Sequence, residues 1–204
     1  MIKNFGARVV SVWEGLRPMT KKMLVGALAA SGANPSNPPT QKFSYDVHAE
    51  WELSRLLSAL DEQSKEAEVT RDTVKLTEIK QLAEACAKVL QTQTASAEVF
   101  IQLATRAVQR HDFNNLDRLA DVLAQRFSAG EVAEIVRQTD LAQIRAVAYE
   151  TLAMMPVAHL LPLLDDSLYF EIARNAIEQQ AFEFDNGEAQ QILEQLDFDE
   201  IGGD

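Results

Sequence analysis

The stretch IRAVAYETLAMMPVAHLLPLLDD, residues 144–166, decides how this chain is read. Ile144, Ala148 and Leu152 recur at helical spacing, and so do Val157, Leu160, Leu161 and Leu164. Met154, Met155 and Pro156 separate the two runs, so the spacing predicts two short helices joined by a tight turn. Pro162 lies inside the second run, where the lost N–H and ring clash predict a break or kink. The pattern recurs. EVAEIVRQTD (131–140), PVAHLLPLLD (156–165) and EAQQILEQLD (188–197) align without gaps, and each closes on an aspartate. A longer amphipathic helix precedes each segment, starting near Leu116, Leu141 and Leu168. Neither helix of such a pair can bury its stripe alone, so neighbouring pairs must stack as an α-solenoid does.

Ile144, Arg145, Ala148 and Leu152, followed by Pro156 and a leucine-rich run, resemble a HEAT repeat. Ala120 and Ala173 stand where the preceding and following units would carry that arginine. The resemblance therefore centres on residues 140–166, within a repeat-like second half at 112–197. It implies a HEAT- or armadillo-like helical scaffold that binds other proteins. An irregular multi-helix bundle is the competing architecture.

The rest of the chain is helical by the same criterion. No glycine or proline occurs from Thr40 to Ala129, so both main helix breakers are missing there. Leu53, Leu56, Leu57 and Leu60 form one stripe, extended backwards by Trp51 and Val47. Ile79, Leu82, Ala83, Cys86 and Leu90 form the next, and Phe100, Leu103, Ala104 and Ala107 a third. Leu116, Leu119, Ala120, Leu123 and Phe127 lead to Ser128, an N-cap candidate, while Asn114 or Asn115 is expected to cap the helix at Leu116. The Asp-Asn-Gly at 185–187 reads as a helix C-terminus, and no run alternates as a strand would. The expected fold is all-α, with about eight helices between residues 46 and 197 and an acidic tail at 198–204.

Charge and glycine content set the N-terminus apart. Residues 1–42 carry six basic side chains and one acid, a net of +5, whereas the remainder carries −17. Four of the eight glycines lie in the first 32 residues, and Pro35, Pro38 and Pro39 follow. Residues 1–31 are therefore expected to form a basic two-helix arm with a turn at Gly15–Pro18, and residues 32–45 a proline-rich linker. Ile2, Phe5, Val9, Val12, Trp13 and Leu16 make the arm's apolar stripe. Such a stripe with Arg8, Arg17, Lys21 and Lys22 beside it suits three roles. It can dock on the chain's own acidic body or on a partner, lie on an anionic membrane, or serve as an organelle address. TKKMLVGALAASGANPSNPP (20–39) also has the basic head and short apolar centre of a secretory signal, with cleavage near Ala33. The docked arm is preferred, and a cytoplasmic location with it.

No catalytic signature stands out. His48 and Glu52 share a helix face but have no further ligand, and no Glu-x-x-His occurs. In HDFNNLD (111–117) Leu116 occupies the place where a calcium loop needs oxygen. Cys86 sits on an apolar stripe, where a thiol is a poor nucleophile. His111 and His159 have no linked nucleophile, and no P-loop or G-x-S-x-G is present. Neither cofactor nor metal is expected. A body this acidic would repel nucleic-acid phosphates. The expectation is a non-enzymatic interaction or assembly subunit. Its candidate contacts are Phe5, Val9, Trp13 and the four basic residues of the arm, together with a groove near Tyr149, Met154, Met155 and Tyr169. A membrane-anchored protein or a small-molecule-binding helical domain is the alternative.

Overall fold

The structure, a computed structural model, describes residues 2–32, 45–66 and 71–201. A 3-10 turn at Ile2–Asn4 opens the described chain. The α-helices α1 (Ala7–Gly15), α2 (Pro18–Gly32), α3 (Val47–Lys65) and α4 (Thr73–Gln93) follow. Then come α5 (Ala97–Gln109), α6 (Phe113–Arg126), α7 (Ala129–Gln138), α8 (Ala142–Ala153), α9 (Val157–Leu164), α10 (Phe170–Glu183) and α11 (Gly187–Ile201). No strand occurs among the described residues, and the fold is all-α. Residues 33–44 of the linker expected at 32–45, the cleavage point near Ala33 and the last residues of the tail lie outside the described residues.

The chain divides into two compact units, Met1–Thr94 and Ala95–Asp204. The division falls after α4 rather than at the proline-rich stretch, because the arm is built into the first unit. There α1 packs on α3, α2 packs on α4, and α3 packs on α4. Phe5, Val9, Leu16 and Leu24 are buried with Leu53, Leu56, Leu57 and Leu60 of α3 and Ile79, Leu82, Cys86 and Leu90 of α4. Gly6 makes the entry into α1 possible. Its φ of 101° is a conformation that a side chain rarely tolerates, and a Cβ there would lie 1.8 Å from Gln63 Oε1. Asp46 and Asp72 start α3 and α4 by accepting from the main-chain N–H groups of Ala49 (2.7 Å) and Lys75 (3.0 Å).

Trp51 and Val47 do not extend the α3 stripe; both are exposed. At 100° per residue Trp51 lies roughly 160° around the helix from Leu53. Its ring instead lies under the Arg55 guanidinium at 4.5 Å. Ala49 and Glu52 take the inward positions.

In the second unit the predicted stripes are buried: Phe100, Leu103, Ala104 and Ala107 on α5, Leu116, Leu119 and Leu123 on α6. Phe100 meets Phe127 edge-on, with ring centroids 5.7 Å apart. Ser128 caps α7 as its sequence predicts, accepting from Glu131 N at 3.3 Å. The cap of α6 is Asp112 rather than either asparagine; its carboxylate accepts from Asn115 N. His111 absorbs the turn before it at φ 55°, and Asp185 does the same after α10 at φ 53°.

The three aligned segments fall on α7, α9 and α11. The close packing does not follow those pairs throughout. α7 packs on α8, α8 on α6 and α10, and α10 on α9 and α11. Between α8 and α9 the chain turns through 112°, which keeps these two helices in contact only near their junction. α9 carries Pro162 internally and stops two residues later, a two-turn helix rather than a broken one.

Candidate functional site

The arm's expected contact residues divide by burial. Phe5 and Val9 are fully buried in the first unit's core, which removes them from any outward surface in this conformation. The physical reason is the apolar face that α3 and α4 leave uncovered without the arm. Trp13 is half-buried, with the Lys21 ammonium 6.0 Å from its ring centroid, and Lys22 is exposed. Arg8 pairs with Glu62. Arg17 lies in the α1–α2 turn and reaches two carboxylates of α3 and its cap. Its guanidinium donates to Asp46 at 2.6 and 3.1 Å, and its Nε to Glu52 at 3.3 Å.

Glu52 is only 7 % exposed, and Thr20 Oγ1 also donates to it. Burial pushes the Glu52 carboxyl up, but the hydrogen bonds from Thr20 and Arg17 outweigh it and hold the group below its usual range. Asp46 is likewise held well below the usual carboxylate range, first by Arg17 and then by the Ala49 N–H. A small cleft of about 100 Å³ between α1 and α3, lined by Leu16, Trp51 and Glu52, lies beside this network.

A larger groove, of about 550 Å³, opens in the second unit. One wall is the α8–α9 turn with Met154, Met155 and Pro156; the other is the α10–α11 turn with Phe184, Asn186 and Glu188. Met154 is 74 % exposed and Phe184 53 %. Gln180, 3 % exposed, ties the walls together: its Nε2 donates to Met155 O at 2.8 Å, and its Oε1 accepts from Asn186 Nδ2 at 3.0 Å. Asn186 N also donates to Gln180 O, and Asn186 Oδ1 accepts from the first N–H groups of α11. The groove is thus held by a saturated polar clamp beneath an apolar rim.

Of the four residues expected to line it, the structure brings together Met154 and Met155 but not the tyrosines. Tyr149 is half-buried on α8 outside the groove. Tyr169 donates to Glu134 Oε2 at 2.8 Å. Arg137, then Tyr169 and Gln138, hold the Glu134 carboxyl down to about 2. Phe184 and Gln180 are not singled out by the sequence pattern, and Glu188 enters it only as the first residue of the aligned segment 188–197. The available signal was Phe182 and Phe184, two aromatics off the Ala173, Ala176, Ile177, Ala181 stripe at the end of α10.

Charge is distributed as unevenly as the apolar surface. Residues 146–204 contain thirteen acids and a single basic side chain, Arg174, which is paired with Glu178 at 3.2 Å; residues 1–145 are balanced. Unit two has seven arginines and no lysine. Among the described residues no three His, Cys, Asp or Glu side chains cluster as a metal site would require, and Cys86 is buried. No single helix among them is long and apolar enough to cross a membrane. Comparison with protein-family models, curated proteins and solved structures finds no match for this chain.

Proposed function

We propose that this chain is a non-enzymatic interaction or assembly subunit that binds another protein through its second helical unit. The observation that carries the reading is the groove between the α8–α9 and α10–α11 turns, where Met154 and Phe184 stand exposed over a fixed polar clamp. Exposed large side chains around a concavity are a common mark of a binding surface. Burying the free area of each would contribute about 1–2 kcal/mol to a complex. The HEAT-like reading of residues 112–197 belongs with this proposal, because stacked helical pairs present long surfaces of this kind.

Gentle purification from the natural source, followed by native mass determination, tests it. A stoichiometric protein partner is expected. A chain that is strictly monomeric and alone in repeated preparations sinks the proposal. A second reading rests on the groove's volume, which falls within the roughly 300–1,000 Å³ of small-ligand pockets. Thermal stabilisation by a member of a metabolite panel would favour that reading. The membrane-anchor reading gains no support from the arm, since Phe5 and Val9 would first have to leave the core.

A further inference from the structure

We infer that the Met154–Phe184 groove receives a basic amphipathic helix from a partner protein, an inference that rests on the interaction reading above. Two independent features converge on this occupant. The first is the rim chemistry. Methionine is unbranched and polarizable, so Met154 and Met155 adapt to varied apolar side chains, and Phe184 supplies a rigid facing wall. The groove's volume accommodates about three large side chains, the set that an amphipathic helix offers at positions i, i+4 and i+7.

The second is charge. Glu188 lines the groove. Glu183 and Asp185 flank Phe184 in the chain and are exposed, and exposed Glu150 lies one turn before Met154. Screening limits each charge to roughly 8 Å at physiological salt, so these neighbours matter more than the distant acids. From residue 146 onward the one basic side chain is Arg174, and it is paired with Glu178. An acidic or neutral helix would therefore bury its apolar face against a field that repels or ignores its other face. A helix with lysines and arginines flanking its apolar stripe meets both surfaces. Apolar contact sets the affinity, and the acids set the preference among helices.

The test uses the full chain and a fluorescein-labelled 14-residue amphipathic peptide of leucine and lysine, with a leucine–glutamate peptide of the same pattern as comparison. Fluorescence anisotropy should show saturable binding of the lysine peptide that weakens at least 10-fold in a Met154→Ser/Phe184→Ser variant. Glu183→Gln/Glu188→Gln should weaken it several-fold and flatten its salt dependence. Equal binding of both peptides, no binding, or unchanged binding by the Met154/Phe184 variant each overturns the inference. So does a homodimer, seen by sedimentation, that the same variant dissolves. If that variant loses its cooperative thermal transition, a photo-crosslinking lysine peptide on the unaltered chain decides instead. Crosslinks confined to residues 153–158 and 180–188 support the groove, and crosslinks spread over other acidic surface overturn it. A natural partner that still binds the Met154/Phe184 variant would leave the interaction proposal standing while removing this site.

Discussion

Arg17 binds Glu52 twice, through its main-chain N–H at 3.1 Å and through Nε at 3.3 Å. One carboxylate thereby satisfies the turn between α1 and α2 and, through Thr20, the start of α2. Glu52→Ala leaves that main-chain donor and the Thr20 hydroxyl without their acceptor in a nearly closed site. Such orphaned groups cost about 1–3 kcal/mol each, so a loss of about 2–6 kcal/mol is expected in urea denaturation. Glu52→Gln should cost less, because its amide oxygen still accepts. Equal stability of Glu52→Ala and the unaltered chain would show that the arm is held by its apolar face alone.

The same carboxylates predict the acid limb of stability. Asp46, Glu52 and Glu134 all have folded-state values below their unfolded ones. A group of this kind contributes fully above its unfolded value, about 4, and the contribution is lost as pH falls through the folded value. Unfolding free energy should therefore be level above about pH 5 and fall from about pH 4 down to about 2, where Glu134 takes its proton. Glu52→Gln should reduce the slope in that interval. A slope identical to that of the unaltered chain would contradict the assignment.

Gly6→Ala should destabilise the first unit by about 1–3 kcal/mol, the cost of forcing a side chain into its glycine-only backbone region. The Gln63 amide must also move, since it occupies the space of the new Cβ. The double variant Gly6→Ala/Gln63→Ala separates the effects. In the Gln63→Ala background the clash is gone, so Gly6→Ala should cost less than in the unaltered chain, but the backbone component should persist.

Gln180→Ala cuts the clamp beneath the groove and leaves Met155 O and the Asn186 amide without their partner. A loss of about 1–3 kcal/mol is expected. Faster amide hydrogen exchange should appear at residues 155–158 and 186–189, with little change in the first unit. Uniform acceleration throughout the second unit would instead make Gln180 an ordinary core residue.

Helix existence was legible because burial follows the 3.6-residue period directly: Leu53, Leu56, Leu57 and Leu60 are buried as their spacing predicts. Local chemistry was equally readable at Ser128 and at the Gly15–Pro18 break. The unit boundary was not. Thr94, Ala95 and Ser96 contain no glycine or proline, and the chain leaves α4 through an extended threonine instead. The docking of the arm brings together pairs such as Arg8–Glu62 and Arg17–Glu52, which join residues 54 and 35 positions apart. No local window contains them. The groove was half legible for the same reason. Met154 and Met155 were visible beside Pro156, but Phe184 reaches them only because α10 brings its far end back to the α8–α9 turn.

The lysines of this chain end at Lys88, in α4, so the second unit offers arginine as its only strong cation. Every chemistry that needs a side-chain amine is thereby confined to the first unit. Amine-reactive dyes and crosslinkers, acetylation and isopeptide tagging can mark the arm, α3 and α4 without touching the groove. A lysine-specific protease, even acting to completion, would leave residues 89–204 covalently intact.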